Sequence, residues 1–237
     1  MSYDKRIDGR KFNELRPMTA KAGVIPNADG SAYVKMGKTE AYASVYGPRN
    51  LFPKFLQDPE KGILRCRYNM MPFSGAGERV RPGGSRRSKE ISMVTEKALL
   101  PVLDLRQFPN SVIDVFIELS STDAGSRCAG ICAAAIALAD AGIEMKDLPL
   151  AVAVGKVEDK ILVDLCYDEE AYPGEVADIP VAILPRTGEI TLLQMDGEVT
   201  KEQLMQALSL IKEVAPKIHQ IQVEALKSRF QDYEAEE

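Results

Sequence analysis

Residues 112–140 read VIDVFIELSSTDAGSRCAGICAAAIALAD, and the fold can be predicted outward from this stretch. It begins with a nearly continuous apolar run of β-branched and aromatic side chains, which is typical of a strand covered on both faces. Residues 128–141 are mostly alanine, with isoleucine and leucine among them, and this composition favours a helix buried along most of its length. The sequence therefore predicts a buried strand, a tight turn and a buried helix in direct succession.

The turn, DAGSR at residues 123–127, has the composition of an anion-binding site. Gly125 lets backbone amides face outward before the helix, and these unpaired donors attract an anion together with the helix dipole. Ser126 adds a hydroxyl, and Arg127 adds a rigid five-donor cation that suits phosphate. These residues alone leave open an ordinary N-cap beside a surface arginine.

A second basic cluster, SGAGERVRPGGSRRS at residues 74–88, precedes another predicted helix. Its charged residues are Arg79, Arg81, Arg86 and Arg87 against the single acid Glu78. If Ser85 caps the helix, Arg86 and Arg87 fall in the first turn, where each cation opposes the helix dipole at a cost of about 0.3–1 kcal/mol. A bound anion would offset that cost, so the pattern indicates a second anion site.

Arg65 and Arg67 lie two residues apart in a predicted strand, ILRCRYNMM at residues 63–71. Alternation places both on one face of the strand, while Leu64 and Cys66 point to the other face. Neighbouring arginines repel each other unless an anion lies across them, so this pair could follow a nucleic-acid backbone. A solvated strand face is the alternative.

Periodicity and turn residues predict the rest of the chain. Residues 1–20 are polar and charged, and RIDGRK at residues 6–11 is expected to open as an extended arm; residues 166–177 are expected to form an acidic loop. Thr200 is predicted to cap a long final helix that Pro216 kinks. Two more hairpins are predicted in the second half: residues 150–157 with 160–165, and residues 178–185 with 189–195.

The chain has 237 residues, 45% of them hydrophobic, and a net charge of −5. No apolar run is long enough to span a membrane and the N-terminus lacks a signal peptide's apolar region, so a soluble, cytoplasmic protein is expected. The four cysteines lack CxxC spacing and are expected to be reduced, buried thiols. The single histidine, His219, is expected to be a bystander, which disfavours catalysis by a histidine base.

Together these pieces favour phosphoryl transfer. Two helix starts offer cations, and residues 168–178 supply carboxylates that could bind Mg²⁺ or transfer a proton. Asp178 begins a predicted strand, but spacing alone does not select it from the other acids, any of which could simply be solvated.

Several motifs resemble the RNase PH superfamily, in the same order and over nearly the whole chain. They are RIDGR, NADGSA, VYGP, LRCRYNMMPF, SRRSKE, DAGSR and VADIPVAI. The resemblance is closest to the catalytic subunits of archaeal exosomes. It implies an α+β fold of β-α-β-α type with mixed sheets and packed helices. One domain would span residues 1–237, with an N-terminal half to about residue 150 and a C-terminal half from about residue 151.

The resemblance implies a 3′-to-5′ exoribonuclease in which inorganic phosphate attacks single-stranded RNA and releases nucleoside diphosphates, reversibly to 3′-tail synthesis. The residues that match phosphate-holding positions are Gly125, Ser126, Arg127 and Arg87. The residues that match RNA-binding positions are Arg65, Arg67, Arg86 and Arg87. Asp178 matches the catalytic carboxylate, which would act as a proton donor or through Mg²⁺. A second acid is expected a few residues upstream, where direct spacing gives Tyr172 and a longer loop gives Glu170 as the provisional equivalent.

The resemblance also implies partners. Inorganic phosphate would be the co-substrate, and Mg²⁺ a cofactor. The chain would alternate with a related, inactive RNase PH-like subunit in a hetero-hexameric ring, three of each, under S1/KH or zinc-ribbon cap proteins, and no membrane partner is expected.

Other functions remain open from the sequence. A non-catalytic ring subunit would be expected to lose the Ser126-Arg127 turn or Asp178, and both are present. A bacterial-type RNase PH that trims tRNA as a homo-hexamer would share the site. A small-molecule kinase would need a GLGSS-type loop, which the sequence lacks. Hydrolysis is disfavoured by the two anion sites and by the lack of a dense carboxylate cluster.

Overall fold

The computed structural model describes residues 3–76, 80–81 and 84–234, without the side chains of 232–234. Arg79 and Glu78 of the basic cluster lie outside the described residues. The strands are β1 (Met18–Ala22), β2 (Gly30–Met36), β3 (Thr39–Asn50), β4 (Ile63–Met70), β5 (Ser111–Ser121), β6 (Leu150–Val157), β7 (Lys160–Val163), β8 (Val176–Ile183) and β9 (Ile190–Leu193). The helices are α1 (Arg86–Leu99), α2 (Ser126–Asp140), α3 (Tyr167–Glu170) and α4 (Lys201–Glu234), with three short 3-10 turns between β3 and β5.

Two sheets enclose the central helix. The first has the strand order β1-β2-β3-β5-β4, and the second has the order β7-β6-β8-β9. Because β5 pairs antiparallel with β3 but parallel with β4, the first sheet is mixed. Helix α2 contacts β2, β3 and β5 of the first sheet and β6 and β8 of the second. The predicted strand, turn and helix and the α+β architecture are therefore confirmed, while the division near residue 150 stays a prediction.

The composition of α2 explains how the two sheets approach each other so closely. Its residues from Cys128 to Leu138 are all buried, and most of them are alanine, glycine or cysteine. Small side chains let backbone pack near backbone, and alanine has the highest helix propensity. The four cysteines are all buried and free, as expected.

The expected extended N-terminal arm is wrong. Arg6 is only 2% exposed, and its guanidinium donates to both carboxylate oxygens of Glu169, through Nε at 2.8 Å and Nη2 at 2.7 Å. It also donates to the backbone carbonyls of Val163 and Asp164. The partner carboxylate lies 163 residues along the chain, so local pattern could not reveal it. Burial is possible because the charge is paired and fully hydrogen-bonded.

The C-terminal half follows the prediction with small differences. The acidic loop contains a single helical turn, α3. Thr200 and Gln203 exchange side-chain to backbone hydrogen bonds at the start of α4, so the predicted cap is confirmed. The helix continues through Pro216, and the kink stays a prediction. Among the described residues, no helix has the length and apolar character needed to cross a membrane.

Candidate active site

The start of α2 has the geometry expected of an anion site. Gly125 has φ of 61°, in the left-handed region that glycine adopts most easily, and it turns the chain from β5 into the helix. Ser126 and Arg127 then form the first turn. The buried Ser126 Oγ accepts a hydrogen bond from the Tyr68 hydroxyl at 2.8 Å, which leaves its own proton to donate elsewhere.

Asp123 and Ala124, the first two residues of the DAGSR turn, are held by hydrogen bonds from two side chains. Thr39 donates its hydroxyl to the carbonyl of Ala124 and accepts from the amide of Asp123, both at 2.8 Å. Arg16, itself paired with Asp164 at 2.6 Å, donates to the carbonyl of Asp123. The turn is thus fixed by side chains from β3 and from the segment before β1, and it does not rely on its own sequence alone.

The start of α1 supplies the second set of cations. Ser85 caps the helix and exchanges hydrogen bonds with Ser88, so the predicted cap is confirmed. Arg86 and Arg87 are both exposed in the first turn, which contains no acid. The unfavourable placement of two cations there is therefore real, and an anion would relieve it.

Both helix starts open into one cleft of about 300 Å³. Its charged and polar lining is Arg87, Gly125, Ser126, Arg127, Glu170, Asp178 and Asp196. An adjoining cleft of about 570 Å³ shares Arg87, Arg127, Asp178 and Asp196, and adds Arg86, Glu90 and Gln194. The structure thus brings together every phosphate-holding and catalytic residue that the resemblance indicated.

The two carboxylates in the cleft have raised pKa values. Burial raises the pKa of Asp178 to about 6; the nearby Arg127 acts against this, and Asp196 adds to it. Burial, followed by the charge of Asp178, raises the pKa of Glu170 to about 7, although Arg87 opposes the shift. Carboxylates that hold a proton near neutrality in a cleft are typical of sites of acid–base chemistry or of cation binding.

Glu170, the residue predicted as the second acid, lines the same cleft as Asp178. It ends α3 and faces Asp178 across the cleft lining. Tyr172, which direct spacing would have chosen, packs instead edge-on against Tyr3 in a separate small apolar cluster, with ring centroids 5.4 Å apart. The turn of α3 therefore brings Glu170 into the cleft lining and leaves Tyr172 outside it.

The strand arginines lie outside these clefts. Arg65 is paired with Asp114 of β5, donating from Nε at 2.5 Å and from Nη2 at 2.8 Å. Arg67 is exposed on the same face of β4. The anion expected across this face is thus, for Arg65, a carboxylate of the protein itself.

Three residues of the site were missed by sequence reasoning. Asp196 lies beside Asp178 because their backbones exchange hydrogen bonds at 2.8 and 2.9 Å. Gln194 accepts a hydrogen bond from Arg127, and Tyr68 orients Ser126. Asp196 and Gln194 follow β9 in the segment LLQMDG, where nothing in the spacing points to the turn at residue 125. Only the pairing of β8 with β9 brings them there.

A magnesium ion is compatible with these residues. Asp178 Oδ1 is buried and has no hydrogen-bond partner among the described residues, although carboxylate oxygens normally have one. No group of three or more candidate ligands occurs in the described part of the chain. Mg²⁺ is commonly held by one or two carboxylates plus substrate phosphates, so Asp178 with Glu170 or Asp196 would be sufficient.

Comparison with known proteins agrees with this geometry. Residues 14–144 match domain 1 of the 3′ exoribonuclease family (RNase PH), and residues 147–213 match domain 2. The exosome complex component Rrp41 of Thermococcus kodakarensis is 55% identical over 226 residues, covering 95% of this chain and 90% of that protein.

Two solved structures share the fold. Rice (Oryza sativa) Rrp46 has a TM-score of 0.81 at 24% identity, covering 93% of this chain and 100% of the other. A chain of the Archaeoglobus fulgidus exosome with RNA bound to the active site has a TM-score of 0.78 at 23% identity, covering 92% of each chain. The predicted RNase PH-like fold is confirmed, and the chain belongs to the RNase PH family of 3′ exoribonucleases.

Proposed function

We propose that this chain is the catalytic subunit of an exosome ring, and that it degrades single-stranded RNA from the 3′ end by phosphate attack. The observation that carries the proposal is the single cleft in which Arg87, Ser126 and Arg127 face the carboxylates of Glu170 and Asp178. Such a site has cations for two phosphate groups and an acid beside them. The family model, the relatives named as exosome components and the similar chain from an exosome with RNA bound to the active site support 3′ exoribonuclease activity.

The proposed reaction is a nucleophilic displacement at phosphorus. An oxygen of inorganic phosphate attacks the phosphorus of the 3′-terminal linkage, and the bond from that phosphorus to the 3′-oxygen of the preceding nucleotide breaks. The terminal nucleotide leaves as a nucleoside 5′-diphosphate, and the 3′-oxygen takes up a proton. Since a phosphoanhydride replaces a phosphodiester, the reaction runs backward at high diphosphate and low phosphate, which adds 3′ tails.

The residues of the cleft have distinct roles in this reaction. Arg127, the Ser126 hydroxyl and the amides at the start of α2 hold inorganic phosphate. Arg86 and Arg87, at the start of α1, neutralise the RNA phosphate. The RNA phosphate and inorganic phosphate, which repel each other, can then come together. Holding both in line supplies much of the rate, since effective molarity in such cases is worth about 7–11 kcal/mol.

Asp178 is the residue we assign to the leaving 3′-oxygen. Its pKa, raised by burial to about 6, makes it far easier to protonate near neutral pH than an ordinary aspartate, so it can act as the proton donor. As the alternative to donating a proton, Asp178 with Glu170 or Asp196 would hold Mg²⁺, which when bound would stabilise negative charge on the phosphate oxygens. Contacts with RNA phosphates carry little information about the bases, so weak sequence preference is expected.

The ring partners belong to the same proposal. The chain would alternate with a related, inactive RNase PH-like subunit, three of each, and bind S1/KH or zinc-ribbon caps. The exosome names of its relatives support assembly with other subunits, while the stoichiometry and the cap proteins stay predictions. A cytoplasmic location stays a prediction.

The test identifies the product. The chain, alone and with its ring partner, is incubated with uniformly labelled oligoadenylate and Mg²⁺, with and without phosphate, and the released nucleotides are separated and identified. We expect ADP that appears only with phosphate. In Asp178→Asn the rate should fall by about 10²–10⁴, the usual contribution of a general acid. Asp168→Asn, which removes an exposed carboxylate on the same short helix α3, is the matched control and should keep the rate.

Three results would contradict the proposed function. AMP released without phosphate would make the protein a hydrolase. An unchanged rate in Asp178→Asn would remove the acid from the mechanism, and no degradation with the partner present would indicate a non-catalytic ring subunit.

A further inference from the structure

Gln194 connects the two helix starts. Its side-chain oxygen Oε1 accepts a hydrogen bond from Arg127 Nη1 in the first turn of α2. Its side-chain nitrogen Nε2 donates to Glu90 Oε1 in α1 at 3.2 Å, one turn after Arg86 and Arg87. Gln194 itself follows β9 and is half-buried. One amide thus joins three elements at the edge of the cleft.

The orientation of this amide is fixed by its neighbours. A guanidinium can only donate hydrogen bonds and a carboxylate can only accept them. Turning the Gln194 amide over would place its NH₂ group against Arg127 and its oxygen against Glu90, and both hydrogen bonds would be lost. The oxygen is therefore held toward Arg127, and the direction of the guanidinium is constrained in turn.

The charge of the hydrogen-bond partner decides whether an arginine is neutralised or only oriented. Arg65 is held by the carboxylate of Asp114, a bidentate pair that neutralises it. Arg127 is hydrogen-bonded to a neutral amide, which orients the side chain without neutralising it, so its charge acts on the nearby Asp178 and can also act on an anion in the cleft. A cation in the first turn of a helix is unfavourable unless an anion is present. Arg127 is therefore both restrained and available.

We propose that Gln194 is a positioning residue of the phosphate site: it aims the guanidinium of Arg127 into the cleft and leaves its charge for inorganic phosphate. This inference rests on the proposed function, since it names the residue that prepares the phosphate subsite of that reaction. Because Gln194 contacts Arg127 directly and Arg87 not at all among the described contacts, removing it should affect phosphate more than RNA.

Two substitutions distinguish the two possible roles of Gln194. In one role it orients Arg127 and leaves the arginine charged; in the other it only bridges α1 and α2. Gln194→Glu keeps the shape and the acceptor facing Arg127, neutralises the arginine and loses the donor to Glu90. Gln194→Met keeps the approximate volume and removes the hydrogen bonds. Gln220→Glu is the matched control, because Gln220 also donates to a glutamate, Glu224 at 2.7 Å, but on the exposed side of α4.

The measurements are the KM values for phosphate and for oligoadenylate in the assembled ring, and the binding of inorganic phosphate by isothermal titration calorimetry. We expect Gln194→Glu to raise the KM and Kd for phosphate about tenfold or more, as the loss of one charge-assisted contact does. Gln194→Met should raise them less, since the charge remains. The KM for RNA should stay within about twofold in both variants, and Gln220→Glu should behave as wild type.

The result that would overturn the inference is a Gln194→Glu variant that binds phosphate as wild type does, or one in which both KM values rise together. A larger effect of Gln194→Met than of Gln194→Glu would also overturn it, because that order is expected of a structural bridge. The proposed function is judged separately, by whether wild type releases nucleoside diphosphate. Phosphate binding by the variants still decides the role of Gln194 if wild type proves to be a hydrolase.

Discussion

Arg65 and Arg67 look alike in the sequence, but the fold makes them different. Asp114 lies opposite Arg65 in the parallel pairing of β4 with β5 and binds it through both carboxylate oxygens. To contact RNA, Arg65 must first give up that pair. Arg67 faces solvent two residues later, and its charge is accessible at once.

We therefore predict that Arg67 contributes more to RNA binding than Arg65. Each phosphate contact with a single strand changes the slope of log K against log salt by about 0.7. Arg67→Gln should make the slope shallower by about that amount, and Arg65→Gln should change it much less. The measurement is fluorescence-anisotropy titration of an oligoadenylate without phosphate, at several salt concentrations. Equal losses in the two variants would show that RNA displaces Asp114 from Arg65.

Among the secondary-structure elements, α2 and β2 pack backbone against backbone. Gly30, at the start of β2, approaches the C-terminal end of this helix so closely that a Cβ there would lie 2.4 Å from the carbonyl oxygen of Ala137 and 2.2 Å from the amide nitrogen of Ala141. The neighbouring amide of Ser31 donates to Asp140 at 2.8 Å. These contacts fix the first sheet against the helix that carries Ser126 and Arg127.

Gly30→Ala should therefore destabilise the protein. The added methyl group meets backbone atoms that cannot rotate away, and overpacking of this kind costs about 1–3 kcal/mol or more. The free energy of unfolding, from urea titration followed by circular dichroism, measures the loss. Gly142→Ala, just after the end of the same helix, is the comparison: the space there is open but φ is 73°, so its cost is backbone strain alone. Wild-type stability in Gly30→Ala would show that β2 can move away from α2.

Across the whole molecule, a buried ion pair ties the N-terminal segment to the acidic helix α3. Arg6 and Glu169 have no exposed side-chain area, and Tyr3 donates a further hydrogen bond to Glu169 at 2.8 Å. Burial acts to raise the pKa of Glu169, but hydrogen bonds from Arg6 and the amide of Cys166 outweigh it and hold the pKa below its ordinary value of 4.5. Glu170, the next residue, depends on this anchor for its place in the cleft.

The pH dependence of stability follows from that direction. Because the folded pKa is depressed, the unfolded chain takes up a proton first as pH falls. The contribution of the pair is therefore complete above about pH 4.5 and is lost as pH falls through the folded pKa. We expect Glu169→Gln to lose about 3–5 kcal/mol at neutral pH, since the buried Arg6 keeps, among the described residues, only the more distant carboxylate of Asp8, at 3.9 Å, as an ion-pair partner. It should also show a smaller further loss between neutral pH and pH 3.

Urea unfolding at a series of pH values measures both effects. Glu213→Gln, which removes an exposed carboxylate of α4, is the matched control and should follow wild type. A Glu169→Gln variant that matches wild type at neutral pH, or shows an unchanged slope in acid, would contradict the assignment.

The features that could be predicted from the sequence are those determined by residues close together in the chain. The caps at Ser85 and Thr200, the buried strand before residue 123 and the alanine helix after it follow from propensity and periodicity, so the sequence predicted them. The choice of Asp178, and of Glu170 over the neighbouring acids, required resemblance to a family. Gln194 and Asp196 were missed because only the β8–β9 hairpin brings them to the cleft.

The sequence by itself determined the elements, their order and the two cationic helix starts, because capping, alternation and small-residue composition act over a few neighbouring residues. Tertiary structure alone decided which charges remain available. It paired Arg65 with Asp114 and Arg6 with Glu169, and it left Arg127 against a neutral amide. The physical reason is that an arginine's effective charge depends on the group within hydrogen-bond distance, and here those groups lie 49 to 163 residues away along the chain.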